Sequence, residues 1–252
     1  MLKNRRTNQE ENIYNEKPLF PMRINKYLAS LKYDTRRGAD KLIEKKSVFI
    51  NGRLATLGDK VNEGDKVEVR HKTKPREYVY FVYNKPVGMA TNASYANEKD
   101  IVKSVSIKGK SVFPIGRLDK ESSGLIILTD DGRITDPLLN PEYEHEKEYT
   151  VTTKEKLRSS FKQKMETGVD IEGYITKNCK VKILGENKFS VVLTEGKKHQ
   201  IRRMCANLFQ EVETLKRTRI LNIRLEKLNE GGYRQITGEE LKLFLNQLGI
   251  ES

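Results

Sequence analysis

The sequence predicts an α+β protein, in which a small N-terminal α/β unit precedes a larger domain with a mixed, mostly antiparallel sheet. Residues 22–70 contain two helical patterns and then short strands, whereas residues 78–252 contain longer strands separated by helices in irregular order. Residues 71–77 are basic and contain a proline, which is typical of a linker. Residues 1–21 are polar with mixed charge, and we expect them to form a flexible tail.

The helices of the small unit are predicted from the spacing of its apolar residues. Such residues recur at i, i+3, i+4 and i+7 over residues 24–31, and a second apolar face follows at residues 39–43. A short strand is predicted at residues 48–50, a turn at Asn51-Gly52 and a closing strand at residues 67–69. A unit of about 50 residues needs a tight core to fold.

Basic and apolar residues of the small unit form one recognisable pattern. It comprises Arg23, Lys26-Tyr27-Leu28, Arg36-Arg37, Ala39, Leu42-Ile43, Val48, Ile50-Asn51-Gly52 and Gly64-Asp65. With this pattern the unit resembles an S4 RNA-binding domain, which implies RNA contacts at Arg23, Lys26, Arg36 and Arg37. Arg36 and Arg37 begin a predicted helix, where backbone N–H groups already attract phosphate. A solvated basic helix face is the alternative interpretation.

Strands and helices of the larger domain are predicted from the same periodicities. The predicted strands are residues 78–83, 125–128, 149–152, 179–184, 189–193 and 220–225. The predicted helices are residues 134–139, 155–167 and 199–208, followed by a C-terminal helix. Thr237 and Glu240 have the spacing of a capping box at the start of that last helix.

The charge of the chain predicts a polyanionic partner. Its 48 lysines and arginines exceed its 35 acidic residues, so the formal net charge is +13 over 252 residues. Nucleic acid is the default partner of such a protein, and an anionic membrane surface is the competitor. No apolar run approaches the roughly 18 residues of a membrane span, and no secretory signal is visible at the N-terminus. We therefore expect a cytoplasmic protein that binds no membrane.

Cysteines and histidines do not suggest a metal site. The two cysteines, Cys179 and Cys205, are too few for a disulfide framework and do not form a CxxC pair. The three histidines stand apart from them in the sequence. We predict that no metal is bound.

Asp119 is the most informative candidate for chemistry. It lies between Arg117 and Lys120, just ahead of the apolar strand predicted at residues 125–128. Nearby cations favour the ionised form of a carboxyl group, which suits it to nucleophilic or electrostatic catalysis. Read alone, the segment also fits ordinary turn chemistry.

Three further segments have unusual compositions. Lys85 stands in the Pro–Gly turn of residues 84–88, and Tyr149 follows a charged stretch where it could stack on a base or simply pack in the core. Residues 196–204 place several cations at a predicted helix start. Because the helix dipole disfavours cations there, an anionic partner is expected nearby, with a solvated helix end as the alternative.

Taken in this order, the four segments resemble the pseudouridine synthases, specifically the branch of RsuA, RluB, RluE and RluF. The Gly-Arg-Leu-Asp and Ser-Gly-Leu-Ile-Ile-Leu-Thr motifs of residues 116–129 are specific to this branch. Residues 145–149, 177–181, 200–205 and 217–220 look most like the RluF type, which acts on large-subunit ribosomal RNA. The resemblance covers nearly the whole chain.

The resemblance implies a role for each matching residue. Asp119 matches the catalytic aspartate, which breaks the uridine N-glycosidic bond and lets the base rejoin through C5. Tyr149 matches the tyrosine that packs on the target base, Arg202 the basic partner of the catalytic acid, and Ile201 the apolar residue that lines the pocket. RNA-phosphate or loop-shaping contacts are expected at Lys85, Arg117, Lys198 and Arg203.

The predicted function is therefore the isomerisation of a uridine to pseudouridine in ribosomal RNA, with 23S rRNA favoured. The chemistry is an isomerisation of a flipped-out base, so we expect no cofactor, and we expect a monomer. One alternative is a non-enzymatic rRNA-binding or ribosome assembly factor. Another is the same chemistry on 16S rRNA or on tRNA.

Overall fold

The computed structural model describes residues 20–31, 33–70, 77–91, 100–101, 105, 107 and 111–250. The chain divides into two compact units, one ending at Arg76 and the other beginning at Glu77. Each unit contains helices and strands, which confirms the α+β class. Nearly all of the predicted tail, and residues 71–76 of the predicted linker, lie outside the described residues. No helix in the described ranges is long and apolar enough to span a bilayer.

The small unit contains two helices and five short strands within its described residues. In chain order they are β1 (Met22–Arg23), α1 (Ile24–Ser30), α2 (Arg36–Glu44), β2 (Val48–Ile50), β3 (Arg53–Leu54), β4 (Lys60–Val61) and β5 (Val67–Val69). Strands β3, β2 and β5 form one antiparallel sheet, and β1 pairs with β4. Both predicted helices are present. Helix α2 begins where it does because the Thr35 hydroxyl accepts a hydrogen bond from Gly38 N–H over 2.9 Å.

The larger unit contains the remaining strands and helices. Its strands are β6 (Tyr80–Lys85), β7 (Phe113–Ile115), β8 (Ser123–Thr129), β9 (Lys147–Thr153), β10 (Lys180–Gly185), β11 (Lys188–Leu193), β12 (Val212–Ile220), β13 (Ile223–Arg224) and β14 (Tyr233–Gln235). Its helices are α3 (Thr135–Leu139), α4 (Phe161–Glu166), α5 (Gln200–Asn207) and α6 (Gly238–Gln247), with 3₁₀ turns at Gly132–Ile134 and Pro141–Tyr143.

One mixed sheet organises the larger unit. Its described strands follow the order β10-β11-β9-β12-β8-β6-β14, with β13 beside β12 and β7 beside β8. Strands β8 and β12 are parallel, joined through the pairs Ser123–Lys216 and Gly124–Arg217, and the other described pairs in this sheet are antiparallel. A mixed, mostly antiparallel sheet is thereby confirmed.

The two faces of this sheet are packed differently. On one face Leu125 and Ile127 join a single buried cluster that α3 and α6 cover, which we call the continuous face. Their neighbours Ile126 and Leu128 point the other way, because side chains alternate along a strand. That opposite face carries two separate clusters, one around β6 and β8 and one around β9, β11 and α5. We call it the divided face.

Two predicted elements of the larger unit are wrong in extent. The strand expected at residues 220–225 is interrupted: β12 ends at Ile220, the chain turns at Leu221 with a φ of 50°, and β13 follows. The helix expected at residues 155–167 begins only at Phe161. In its predicted first turn the carbonyls of Glu155 and Lys156, which a helix would use internally, accept hydrogen bonds from the side chains of Thr153 and Gln210 instead.

The predicted capping box of the last helix is also absent. Thr237 occupies the N-cap position of α6, but its side chain makes no capping hydrogen bond. Glu240 instead receives two hydrogen bonds from the Arg234 guanidinium, at 2.7 and 2.8 Å. An ion pair with β14 therefore replaces the local cap.

Candidate active site

The loop that carries Asp119 connects β7 to β8, and hydrogen bonds fix its backbone. The buried Leu118 donates its N–H to Thr91 Oγ1 over 3.0 Å, and the Thr91 hydroxyl donates to the Leu118 carbonyl over 2.9 Å. Ser122 N–H donates to the Asp119 carbonyl over 3.0 Å, which closes a turn. The backbone is held on both sides of Asp119, while its side chain remains 36% exposed.

Lys85 lies under this loop rather than on the surface. It is fully buried, and its Nζ donates to the carbonyls of Pro86 over 3.0 Å and Met89 over 2.7 Å. Gly88, in the same turn, donates its N–H to the Lys120 carbonyl over 2.8 Å. The side chain therefore shapes the turn that supports the Asp119 loop, and a direct contact with an RNA phosphate would require an exposed ammonium.

The charge of Lys85 is affected by its burial. Burial lowers the pKa of its ammonium to about 8, although the carboxylates of Glu121 and Asp119 act in the opposite direction. Arg217 lies near enough to lower the pKa further. Lys85 is thus a buried cation placed between acidic and basic neighbours.

His199 is the ionic neighbour of Asp119 among the described residues. Its Nε2 lies 3.5 Å from Asp119 Oδ1, and 47% of the imidazole side chain is exposed. His199 immediately precedes α5 and has a φ of 52°, in the left-handed region. The turn before it is held by Gln200, whose Oε1 accepts from Lys197 N–H over 2.9 Å and whose Nε2 donates to Glu195 over 2.7 Å. The sequence did not predict this contact.

Arg202 reaches the Asp119 loop, but not the carboxylate predicted as its partner. Its Nη2 donates to the Glu121 carbonyl over 3.1 Å, and its Nη1 donates to the Val212 carbonyl over 3.1 Å. The guanidinium therefore ties α5 to the Asp119 loop and to the start of β12. In this arrangement Arg202 positions the loop and does not pair with Asp119.

A row of paired residues crosses the sheet beside this loop. Lys85 pairs with Gly124, Gly124 pairs with Arg217, and Arg217 pairs with Tyr149. Directly paired residues project to the same face, which here is the divided face. We call these four residues the cross-strand row. Gly124, which has no side chain, lies at the centre of the row, between the two apolar clusters.

Only glycine fits at the centre of the row. Gly124 has a φ of +105°, a backbone conformation that other residues rarely adopt. A Cβ atom there would also lie 2.3 Å from the Arg217 carbonyl oxygen, which is far inside van der Waals contact. Gly124 therefore permits the close approach of β8 and β12.

Arg217 is almost completely buried, with 4% of its surface exposed. Its Nε donates to the Leu125 carbonyl over 2.7 Å and its Nη1 to the Arg117 carbonyl over 3.5 Å. Its Nη2 has no hydrogen-bond partner among the described residues. Lys147, on the same face of β9 as Tyr149, is a second cation here. Its loss of hydration is the larger cause, and the charge of Arg217 the smaller, that lowers the pKa of its ammonium to about 8.

Tyr149 and Ile201, the two residues predicted to form the base pocket, are part of the same apolar packing. Tyr149 is half-buried and packs against the cluster that contains Ile201 and Met204 of α5. Ile201 is 4% exposed. The tyrosine ring thus has a supported edge and an accessible part, which is suited to holding a planar ligand.

The remaining predicted RNA contacts differ in accessibility. Arg117 and Lys198 are exposed at the two segments that flank Asp119. Arg203 donates to the Ile171 carbonyl over 2.9 Å and pairs with Glu172 over 2.6 Å, so it is already occupied. In the small unit the predicted contacts are all exposed: Arg23, Lys26, Arg36 and Arg37.

Sequence reasoning missed three residues of this site: Thr91, His199 and Arg217. The sequence did give an indication of His199, because this residue stands in the basic segment before α5. Arg217 occurs in a segment that matched the family, but its burial depends on a strand pairing with residues about 90 positions away. Thr91 has no local signal, since its role comes from a contact with Leu118.

Two family models match the chain. The model described as RNA pseudouridylate synthase matches residues 79–207, and the S4 domain model matches residues 22–67. The first covers Lys85, Gly124 and Tyr149 of the cross-strand row, the Asp119 loop and α5, and the second covers most of the small unit.

Known proteins with similar sequences and structures support the same family. The chain is 42% identical over 224 residues to the dual-specificity RNA pseudouridine synthase RluF of Escherichia coli (strain K12), covering 87% of this chain and 77% of that protein. It is 33% identical over 232 residues to ribosomal large subunit pseudouridine synthase B of Bacillus subtilis (strain 168), covering 87% and 94%. A crystal structure of a pseudouridylate synthase matches 90% of this chain and 99% of its own, with a TM-score of 0.65 and 30% identity.

Proposed function

Because this chain belongs to the RNA pseudouridylate synthase family, we propose that it isomerises a uridine of ribosomal RNA, and of 23S rRNA in particular. The reaction replaces the N1–C1′ bond of the nucleoside with a C5–C1′ bond. C5 loses its proton and N1 gains one, so no atoms are added or removed overall. The chemistry therefore consists of breaking one bond, turning the base and forming another.

Support for the 23S substrate comes from the relatives and from charge. The Bacillus subtilis relative is named for the ribosomal large subunit, and the Escherichia coli relative is of the RluF type. The net charge of +13 suits an RNA substrate of any kind. The name of the RluF relative also includes dual specificity, which favours a second RNA as an additional substrate.

Asp119 is the catalytic residue in this proposal, and its placement is the observation that carries the site assignment. Its carboxylate is partly exposed on a loop fixed by Thr91 and Ser122, and it lies near enough to Lys85 of the cross-strand row to affect the pKa of that ammonium. An ionised carboxylate there is suited to nucleophilic attack or to stabilising positive charge at C1′. His199 contributes a second polar group beside it.

Tyr149 holds the target base in this proposal, and Ile201 supports the ring. A base must leave the RNA stack to reach Asp119, which costs a few kcal/mol. Stacking on an aromatic side chain returns about 1–3 kcal/mol per base. Tyr149 pairs with Arg217, which is bonded to the Arg117 carbonyl of the Asp119 loop, so a base on its ring would lie close to that loop.

The exposed cations hold the RNA backbone in this proposal. Arg117 and Lys198 flank Asp119 and would contact phosphates next to the target nucleotide. The exposed basic residues of the small unit would bind neighbouring RNA through the S4 domain. We propose that residues 22–70 are the RNA-binding domain and residues 78–252 the catalytic domain of a monomer that works in the cytoplasm.

Release of tritium from C5 of uridine tests the proposed reaction and substrate. Purified full-length protein is incubated with 23S rRNA, 16S rRNA and tRNA, each labelled with tritium at uridine C5, and the tritiated water is counted. We expect release from 23S rRNA, at one or a few sites that carbodiimide mapping then locates. Release from no RNA would contradict the proposed isomerase. Release from 16S rRNA or tRNA alone would contradict the 23S assignment.

A further inference from the structure

Two buried cations and a half-buried one lie at or beside the cross-strand row. Lys85 and Arg217 belong to the cross-strand row, and Lys147 lies two residues before Tyr149 on the same face of β9. Lys85 is fully buried and Arg217 is 4% exposed. The described polar partners of Lys85, Lys147 and Arg217 are backbone carbonyls, so no carboxylate is hydrogen-bonded to any of them in the described chain.

Such an arrangement is unfavourable for the free protein. A buried cation loses its hydration, and a buried N–H without a partner loses a hydrogen bond as well. Arg217 Nη2 is such an N–H group among the described residues. The charges of Lys85 and Lys147 also oppose that of Arg217. Groups held at this cost are typical of a site that receives negative charge during function.

The geometry of the row indicates where that negative charge develops. Arg217 pairs directly with Tyr149, and paired side chains start only about 4.5–5.5 Å apart. A uracil ring stacked on Tyr149 would therefore lie next to Arg217, whose Nη1 is bonded to the carbonyl two residues before Asp119. When the N1–C1′ bond breaks, its electron pair stays with the base and spreads over N1, O2 and O4.

We propose that Arg217, through Nη2 and supported by the charge of Lys147, stabilises the negative charge that uracil gains as its N1–C1′ bond breaks. This inference rests on the proposed function and adds a catalytic residue to it. The electron-deficient C1′ faces the Asp119 carboxylate while the base carries the electron pair. After the base turns, C5 donates an electron pair to C1′, the C5 proton leaves to solvent, and N1 takes up a proton.

The guanidinium is held in one orientation for this task. Nε is bonded to the Leu125 carbonyl on β8 and Nη1 to the Arg117 carbonyl, two residues before Asp119. These two bonds fix the guanidinium and leave the buried Nη2 as the group without a partner among the described residues. They also mean that Arg217 helps to position the Asp119 loop, so an experiment must separate positioning from charge stabilisation.

Rates measured on two different target bases separate charge stabilisation by Arg217 from positioning of the Asp119 loop. Full-length Arg217→Gln is compared with the wild type on RNA that carries uridine or 5-fluorouridine at the target position, under single-turnover conditions. Loss of the N-linked nucleoside is measured by nuclease digestion and mass spectrometry. On uridine we expect a rate loss of about 100-fold or more. On 5-fluorouridine, where fluorine already stabilises negative charge on the base, we expect a loss about tenfold smaller.

Matched variants complete the test. Arg219→Gln removes an arginine from the same strand whose guanidinium is bonded to Glu146 and Glu148, and any rate loss should be equal for the two bases. Arg217→Lys keeps a charge and should recover part of the rate on uridine. If Arg217→Gln does not fold, Lys147→Gln takes its place. Its rate loss should also be larger on uridine than on 5-fluorouridine, but both losses should be smaller.

The outcomes distinguish this inference from the proposed function. Equal rate losses on uridine and 5-fluorouridine in Arg217→Gln, or in Lys147→Gln where it replaces that variant, would show that the row acts only through positioning and would overturn the inference. A wild-type protein that converts neither base would instead contradict the proposed isomerase itself.

Discussion

The two faces of the central sheet differ in what they bury. The continuous face buries Leu125, Ile127 and Phe244 in one apolar cluster under α3 and α6. The divided face buries Lys85 and Arg217 between two apolar clusters. Apolar burial stabilises a fold, whereas buried cations oppose it. The comparison indicates that one face supplies stability and that the other uses some of it to hold charged groups in place.

The same strands serve both faces, because side chains alternate along them. On β8, Leu125 points to the continuous face while Gly124 and Ile126 belong to the divided face. The whole strand is buried, with apolar packing on one side and the buried cations beside it on the other. Substitutions on the two faces should therefore affect stability and activity in different proportions.

Loss of packing on the continuous face should have the largest effect on stability. Phe244 is fully buried on α6, and Phe244→Ala should lower the free energy of unfolding by about 3–5 kcal/mol. Urea unfolding followed by circular dichroism measures this change. The isomerisation rate per folded molecule should stay close to that of the wild type. A large drop in that rate would mean that the faces are not separable in function.

A side chain at Gly124, at the centre of the row, should have the next largest effect on stability. Gly124→Ala forces a residue with a side chain to a φ of +105° and places Cβ 2.3 Å from the Arg217 carbonyl oxygen. We expect a loss of about 2–3 kcal/mol in the free energy of unfolding, together with a loss of activity.

The matched control for Gly124 is a strand glycine with room for a side chain. At Gly185, on β10, the nearest atom to an added Cβ is Lys188 Cβ at 3.8 Å, an ordinary contact. Gly185→Ala should leave both stability and activity nearly unchanged. Equal effects of the two substitutions would contradict a special role for Gly124.

Removal of the Lys147 charge should stabilise the protein but lower its isomerisation rate. Burial lowers the pKa of Lys147 from 10.5 to about 8, so its charged form opposes folding below about pH 8. Between about pH 8 and 10.5 the unfolded chain binds more protons than the folded one, and this opposition is relieved as pH rises. Lys147→Met should raise the free energy of unfolding by about 1–2 kcal/mol at pH 7.

The pH dependence gives this prediction its check. The gain from Lys147→Met should shrink above pH 8 and vanish near pH 10.5, as measured by urea unfolding across that range. The isomerisation rate at pH 7 should fall at the same time. A variant that is less stable than the wild type at pH 7 would indicate that Lys147 contributes packing or hydrogen bonds beyond its charge.

Much of the fold and part of the site could be predicted from local sequence. Strands such as β8 and β11 have strong apolar patterns, and the small unit is defined by helical spacing alone. Residues 155–160 were predicted as helix although they form none, because a competing bond to the Lys156 carbonyl comes from Gln210, far along the chain. No local pattern carries that information.

The site shows the same limit. Asp119 stands out because its cationic neighbours are adjacent in sequence, whereas the burial of Lys85 and Arg217 follows from the register of four strands. The pairing of Arg202 with Asp119 was expected from resemblance, and the structure has Arg202 on the Glu121 carbonyl instead. Which cation meets which carboxylate depends on distances of a few ångströms, and sequence spacing does not set them.

Substitution of Asp119 tests the catalytic assignment of the divided face most directly. Asp119→Asn keeps the size of the side chain and removes its charge, so RNA affinity should stay within about twofold of the wild type. Tritium release from C5-labelled 23S rRNA should fall by about a thousandfold or more. Release at the wild-type rate by a correctly folded Asp119→Asn protein would contradict the assignment.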